Sequence, residues 1–291
     1  MSAQDRYIPG VPCWIDTSQP DPEAGVAFYE GLFGWEFEDV MPPGSPGKYF
    51  IARLNGGDVA AVGSQPPGAP AQAVWNTYVW VTDADETAEQ VRTAGGRVLV
   101  EPFDVGDSGR MAVFADPAGA AFSVWQPGEH RGATVVNEPG SLNFNDLHTR
   151  DLDGAKAFYG AVFGWELLPL SMWALPAYGD FLEERTPGMR ARVAEMGGPA
   201  RFEEVVASVV PISADEPDVA PYWGVTFGID DADAVAARAT ELGGRVIVPP
   251  FDAPWVRSTV IADPQGAILT ANKFVPENKD LAANQEAAAG A

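Results

Sequence analysis

Asp146 and His148 stand two positions apart in an extended segment, and residues two apart in a strand share one face. A carboxylate beside an imidazole orients the ring and supports its positive charge. The pair therefore has the chemistry of a general base for a phenol or an enolisable carbon. The competing view is a surface histidine near a strand end, satisfied by its neighbours. The chain holds two histidines, His130 and His148, and one cysteine, Cys13. A single cysteine excludes an intrachain disulfide and a cysteine-rich metal centre. Cys13 is expected to be a small buried hydrophobe. Asp16 is a second candidate base; buried, it needs hydrogen-bond donors, and without them its pKa would rise. Arg110 and Arg257 could neutralise an anionic ligand or bridge local acids such as Asp107.

These residues are positioned by a sequence that occurs twice. Phe28-Tyr29-Glu30-Gly31-Leu32-Phe33-Gly34-Trp35-Glu36 returns 130 positions later as Phe158-Tyr159-Gly160-Ala161-Val162-Phe163-Gly164-Trp165-Glu166. Gly95-Gly96-Arg97-Val98 returns at Gly243 after 148, and Asp116-Pro117-Ala118-Gly119-Ala120 at Asp263 after 147. The second copy thus carries about 17 to 18 extra residues between the two blocks. Asp16 and Asp146 match between the copies, which suits a structural carboxylate as well as a functional one. Each copy divides again. In the first, Val11 to Asp16 is an apolar run, and Asp21 to Phe33 has helical periodicity with Asp21 as N-cap and Gly34 as stop. Tyr49 to Leu54 and Asp58 to Val62 follow as strands. Thr77 to Val81, a helix over 84–94 capped by Asp83, and strands at Val98 to Val100, Met111 to Phe114 and Ala121 to Trp125 repeat the order. The Asp116-Pro117-Ala118-Gly119 turn closes the last hairpin. The Phe, Tyr and Trp sets at helical spacing are core.

The chain has 291 residues, 46% hydrophobic and 20% charged, with a net charge of 18 − 41 = −23. Clustered Lys and Arg are what nucleic acid and anionic membranes require, so neither is an expected partner. No apolar run approaches about 18 residues and no signal core opens the chain, so a cytoplasmic protein is expected.

The paired βαβββ modules, the Phe-Tyr-x-x-x-Phe-Gly-Trp helix ends, the Val81-Thr82-Asp83-Ala84-Asp85 and Ile229-Asp230-Asp231-Ala232-Asp233 blocks and the Asp-Pro-x-Gly-x hairpins resemble the glyoxalase/bleomycin-resistance/dioxygenase, or vicinal oxygen chelate, superfamily. The likeness runs from about Pro9 to Phe274 and is strongest with its tandem-domain, hydroxylase-like branch, which has members in antibiotic biosynthesis and resistance. It implies an α+β fold of two domains, 1–135 and 136–275, each a cup-shaped mixed sheet, followed by a flexible tail, 276–291. Families of this kind bind a metal through His and Glu on the first and last strands of a module. Those positions hold Trp14, Asn76 and Ser123 in the first copy and Phe144, Gly224 and Thr270 in the second. The fourth position offers only Glu203 and Glu204. The donors for a first-row metal are missing, so the chain is expected to act without metal or cofactor.

Alternation from those positions places Trp14, Asp16, Asn76, Tyr78, Trp80, Ser123 and Trp125 on the first concave face. Phe144, Asp146, His148, Thr226 and Thr270 fall on the second. An aromatic concavity with a few polar handles suits a flat hydrophobic ligand; Trp14 and Phe144 could equally fill space left by a lost metal. The expected function is binding of an aromatic, polycyclic small molecule, an antibiotic or biosynthetic intermediate. The alternatives are a cofactor-free hydroxylase or isomerase of a phenolic or quinonoid metabolite, using Asp16 or the Asp146–His148 pair, and a metal enzyme with an unconventional site. Four modules in one chain make a monomer sufficient and a homodimer optional. Whether modules pair within or between the copies is left open by sequence.

Overall fold

The computed structural model describes residues 6–69 and 71–281. The first copy contains β1 (Pro12–Gln19), α1 (Pro22–Phe33), β2 (Glu36–Asp39), β3 (Tyr49–Leu54) and β4 (Gly57–Ser64). Its second module follows as β5 (Val74–Trp80), α2 (Ala84–Thr93), β6 (Arg97–Val105), β7 (Gly109–Ala115) and β8 (Ala121–Pro127). The second copy opens with β9 (Leu142–Thr149), α3 (Leu152–Phe163), β10 (Glu166–Leu168) and β11 (Met172–Ala174). Its extra residues form α4 (Pro176–Arg185) and α5 (Met189–Glu195) before β12 (Val205–Pro211). The last module is β13 (Tyr222–Gly228), α6 (Ala232–Glu241), β14 (Arg245–Ala253), β15 (Val256–Ala262) and β16 (Ile268–Phe274). Each copy supplies one eight-stranded mixed sheet, ordered β2-β3-β4-β1-β5-β8-β7-β6 and β10-β11-β12-β9-β13-β16-β15-β14. The fold is α+β, built from tandem βαβββ modules.

The helices start and stop where local chemistry dictates. The Asp21 carboxylate accepts from the Ala24 amide, Pro22 occupies the first turn, and Gly34 ends α1 at φ 71 with its N–H on the Glu30 carbonyl. Asp151 and Gly164 repeat this around α3, and Asp83 and Asp231 cap α2 and α6.

By internal contacts the chain gathers into two compact units that follow neither copy alone. One comprises Met1–Trp14, Asn76–Gly132 and Phe144–Trp223; the other comprises Ile15–Trp75, Ala133–Asn143 and Gly224–Ala291. The first unit packs Phe122, Phe158, Tyr159, Phe163, Trp165, Trp173 and Trp223 into one aromatic cluster. Its polar edges are satisfied apart from the buried Trp173 indole N–H: Tyr159 Oη donates to Asp116 at 3.1 Å, Trp223 Nε1 donates to Tyr159 Oη at 2.9 Å, and Trp165 Nε1 donates to the Gly10 carbonyl. The second unit does the same with Phe28, Tyr29, Trp35, Trp75 and Phe227. There Tyr29 Oη donates to Asp263 at 2.9 Å and Trp35 Nε1 to the Gly140 carbonyl at 2.7 Å. Burial drives both tyrosine pKa values well up, and the neighbouring carboxylate adds to the rise. Tyr159→Phe removes a donor from Asp116 and the acceptor of Trp223, and should cost about 1–3 kcal/mol in urea unfolding. A loss below a few tenths would mean that this hydroxyl is idle.

Pro276–Asp280 forms a short 3-10 turn, with Asn278 Nδ2 donating to the Val256 carbonyl at 3.1 Å. The tail expected from 276 is therefore anchored at its start, and 282–291 lie outside the described residues. Among the described residues no helix is long and apolar enough to cross a membrane.

Candidate functional site

In the first unit, strand register assembles two rows of side chains. Val100, Val113, Ser123 and Tyr78 lie side by side across β6, β7, β8 and β5, and Phe103, Met111, Trp125 and Trp80 form the next row. The outer ends are open, Phe103 at 42% exposure, whereas the inner ends are closed. Tyr7 covers Trp80 with ring centroids 5.8 Å apart. His130 meets Trp14 edge-on at 4.4 Å and Trp125 at 5.6 Å, and Trp125 Nε1 donates to the His130 carbonyl at 3.0 Å. Trp14 is 2% exposed and Trp80 9%. Trp14 is packed among the chain's own side chains, with His130 edge-on to its ring. Asn76, on β5 with Tyr78 and Trp80, is half-buried.

The β9 face of this unit is different. Leu168, Met172, Ser208 and Asp146 form a row across β10, β11, β12 and β9, with Val210 beside His148. Phe144, Asp146 and His148 are all half-buried. The Ser208 hydroxyl donates to Asp146 Oδ1. His148 stacks on Tyr222 with centroids 4.2 Å apart and planes 8° from parallel, and Phe144 lies 6.4 Å from Phe202. Burial lowers the His148 pKa below its ordinary 6.5, opposed by the nearby Asp146 carboxylate. Burial raises the Tyr222 pKa, with Asp146 and then Glu216 adding to it.

His148 is thus a neutral imidazole at pH 7. Because its folded pKa lies below the unfolded value, its contribution to stability is fully present above about pH 6.5 and declines as pH falls through the folded value. In the protein, the His148 ring protons should titrate below 6.5, and lower still in Asp146→Asn, which removes the opposing charge. An upward shift in that variant would contradict the assignment.

Of the other candidates, Asp16, Thr226 and Thr270 lie in the second unit. Asp16 is 5% exposed and accepts from Tyr49 Oη at 2.9 Å. Thr226 is paired with Thr270 in register, and below them Ser258 Oγ donates to Asn272 Oδ1. Arg110 forks onto Asp85 at 2.8 and 3.0 Å and reaches Asp104, while Arg257 repeats this with Asp233 and Asp252. The local-bridge reading holds, with Asp85 and Asp104 in place of Asp107. Glu203 pairs with Arg190, and Glu204 with Arg201. Cys13 is fully buried and its thiol pKa is pushed up by that burial.

Tyr222, Ser208, His130, Tyr7 and Tyr49 were not among the residues marked by sequence. Tyr222 could have been, since alternation carried back from Thr226 through Gly224 reaches it.

A metal held as in related folds does not fit this donor set. The matching positions present an indole, a phenyl ring, a glycine, an amide and hydroxyls. Among the described residues no three His, Cys, Asp or Glu gather closely enough to share an ion.

Tandem βαβββ modules, each copy supplying one eight-stranded mixed sheet, define the fold class. The chain belongs to the Glyoxalase/Bleomycin resistance protein/Dioxygenase superfamily, whose model matches residues 14–124 and 141–269. It is 42% identical over 280 residues to CFP32 of Mycobacterium tuberculosis, which bears a provisional glyoxylase name; 95% of this chain and 100% of that protein are covered. It is 38% identical to the anthracycline biosynthesis protein DnrV of Streptomyces peucetius, covering 90% of this chain and 92% of that one. The Mn(II)-bound glyoxalase of Novosphingobium aromaticivorans superposes with a TM-score of 0.57 at 16% identity, over 91% of this chain and 82% of that one. The 2,3-dioxygenase LapB of Pseudomonas sp. KL28 gives 0.58 at 11%, over 92% and 93%. At such identities these two structures speak to the fold alone.

Proposed function

We propose that the chain binds a flat, polycyclic aromatic molecule of the anthracycline kind on the β9 face of its first unit, and that it sequesters or presents that molecule. One observation carries this: the internal duplicate of the face has been left closed while this one is open. Asp16, the counterpart of Asp146, is buried against Tyr49. The counterparts of His148 and Tyr222, at offsets of 130 and 148, are Ser18 and Val74, so the stacked ring pair belongs to the second copy only. Stacked aromatic planes beside half-buried Phe144 and Met172 offer a ring system contact area, and Asp146 and Ser208 offer it orientation. Similarity to DnrV supports the ligand class. The arrangement favours binding over catalysis. His148 is engaged in a ring stack and Asp146 takes the Ser208 hydroxyl, an arrangement of recognition more than of proton transfer.

The test is fluorescence titration with a neutral tetracyclic anthracycline aglycone. Tyr222→Ala should weaken binding about fivefold, since one lost stacking contact is worth about 1 kcal/mol. If Trp80→Phe weakens binding and Tyr222→Ala does not, the face of β5 and β8 is the site. His148→Ala should leave no turnover to lose; a rate abolished by that change would make the protein an enzyme.

A further inference from the structure

One strand row is built differently in the two units. In the first it runs Phe103, Met111, Trp125, Trp80 across β6, β7, β8 and β5, so that two indoles and a thioether fill it. In the second, the matching row across β14, β15, β16 and β13 is Phe251, Ser258, Asn272, Gly228. The large rings are gone from this floor, and main chain closes its inner end: a Cβ on Gly228 would stand 3.1 Å from the Glu138 carbonyl. Rings stand at the rim instead. Phe274 follows Asn272 by two positions on the same face and is 57% exposed. It stacks with Trp255, centroids 6.2 Å apart and planes 4° from parallel. At the offset of 147 the first copy has Pro127 and Ser108 in their places.

Trp255 holds this position against its backbone preference. It is the second residue of the two-residue Pro254-Trp255 turn between β14 and β15, at φ 69, a conformation that favours glycine and strains a bulky side chain. The corresponding turn of the first copy puts Gly106 at positive φ. The Val275 amide donates to the Trp255 carbonyl at 2.7 Å and holds the turn closed, but that bond needs no indole. The floor is neutral and bears a donor. Ser258 Oγ donates to Asn272 Oδ1 at 2.6 Å, and among the described residues the half-buried Asn272 has no partner for Nδ2. Phe251, Ser258, Asn272, Trp255 and Phe274 carry no charge, so the face selects neither a cation nor an anion.

We infer that this face of the second unit is a separate ligand site for a neutral, flat ring system bearing a carbonyl. The ring lies against Trp255 and Phe274, and the carbonyl oxygen accepts from Asn272 Nδ2. The strain at Trp255 is then the counterpart of a function, an indole placed where it can hold a ring and not where the turn is easiest. The site does not depend on the β9 face. The first copy cannot form it, since Met111, Trp125 and Trp80 occupy the row that Ser258, Asn272 and Gly228 leave low.

Two probes of one ring size make the test: fluorenone, and fluorene, the hydrocarbon without its carbonyl. Each is titrated by equilibrium dialysis against the full chain and against its Tyr222→Ala variant, in which the β9 face is disabled. Fluorenone should bind the Tyr222→Ala chain about fivefold tighter than fluorene does, the worth of one hydrogen bond. Asn272→Asp keeps the acceptor for Ser258 but removes the donor, and should bring the two compounds to within about twofold of each other. Trp255→Gly should weaken both about fivefold and, because glycine has no Cβ at positive φ, leave the urea midpoint unchanged or raised. A tryptophan kept for packing alone would lower the midpoint and leave affinity untouched, and that result overturns the site. Equal affinity for the two compounds, or a carbonyl advantage that survives Asn272→Asp, overturns it as well. If Trp255→Gly fails to fold, the pair of probes and Asn272→Asp decide the matter. Absence of binding to the Tyr222→Ala chain overturns this site, whatever the tetracyclic aglycone does at the β9 face.

Discussion

Replacing Asp263 by alanine should cost the protein about 3–5 kcal/mol, the largest loss expected from a single polar side chain here. Asp263 Oδ2 accepts from Tyr29 Oη at 2.9 Å and from Gln19 Nε2 at 2.6 Å, while Oδ1 accepts from the amides of Gln265 and Ala267, each at 2.9 Å. Tyr29 and Gln19 are fully buried, so water does not replace the lost acceptor. Each stranded donor is worth about 1–3 kcal/mol, less than additively. The duplicate supplies an internal control. Asp116 accepts from Tyr159 and from the amides of Gly119 and Ala120, but among the described residues no glutamine reaches it in the same way. Asp116→Ala should therefore be milder by about 1 kcal/mol. Chemical denaturation of the two variants side by side measures the difference; equal losses would show that Gln19 contributes nothing.

Gly109→Ala should destabilise by about 2–3 kcal/mol and disturb the tryptophan cluster visibly. A Cβ at Gly109 would lie 2.6 Å from Trp125 Cζ2 and 2.7 Å from the Gln126 carbonyl, closer than real side chains approach. Relief requires Trp125 to move, and with it the indole hydrogen bond to the His130 carbonyl and the edge contact between the rings. Near-ultraviolet circular dichroism and tryptophan emission should both change. The matching position in the second copy, at the offset of 147 that relates Arg110 to Arg257, is Val256, accommodated opposite Phe274. The restriction at Gly109 is imposed by Trp125 together with the Gln126 carbonyl. An unchanged spectrum in Gly109→Ala would contradict the packing described for Trp125.

What could be read from sequence was mostly local. Asp21, Gly34, Asp151 and Gly164 announced helix ends through chemistry confined to a few residues, and the repeat fixed the order of the modules. β6 was read as Val98 to Val100 but runs over Arg97–Val105. Pro102 and the register shifts opposite β7 break the alternation that would have revealed its length. α4 and α5 have no strong apolar stripe and escaped the same test. Alternation did identify the shared faces of Asn76, Tyr78 and Trp80 and of Phe144, Asp146 and His148. It says which way a side chain points, but not what lies upon it. Tyr7 precedes the first strand and His130 sits in the connection after β8, so their closure of the aromatics carries no periodic signal. Asp263 was legible as turn punctuation, while its bond to Tyr29, 234 positions away, was not.

The interleaved composition of the two compact units has a consequence for how the copies could differ. Each unit draws one module from each copy, so a lone copy carries halves of two units and completes neither. Two identical single-copy chains could complete both, but only as a symmetric pair in which every change is felt at two equivalent places. Joining the copies replaces encounter by tethering, at an effective concentration on the order of millimolar for a short connection, and breaks that symmetry. One carboxylate could then stay sealed behind Tyr49 as a fixture of the scaffold while its twin opened beside His148 and Tyr222. The surroundings of the two carboxylates, bound to be alike in a homodimer, become separately adjustable in the joined chain.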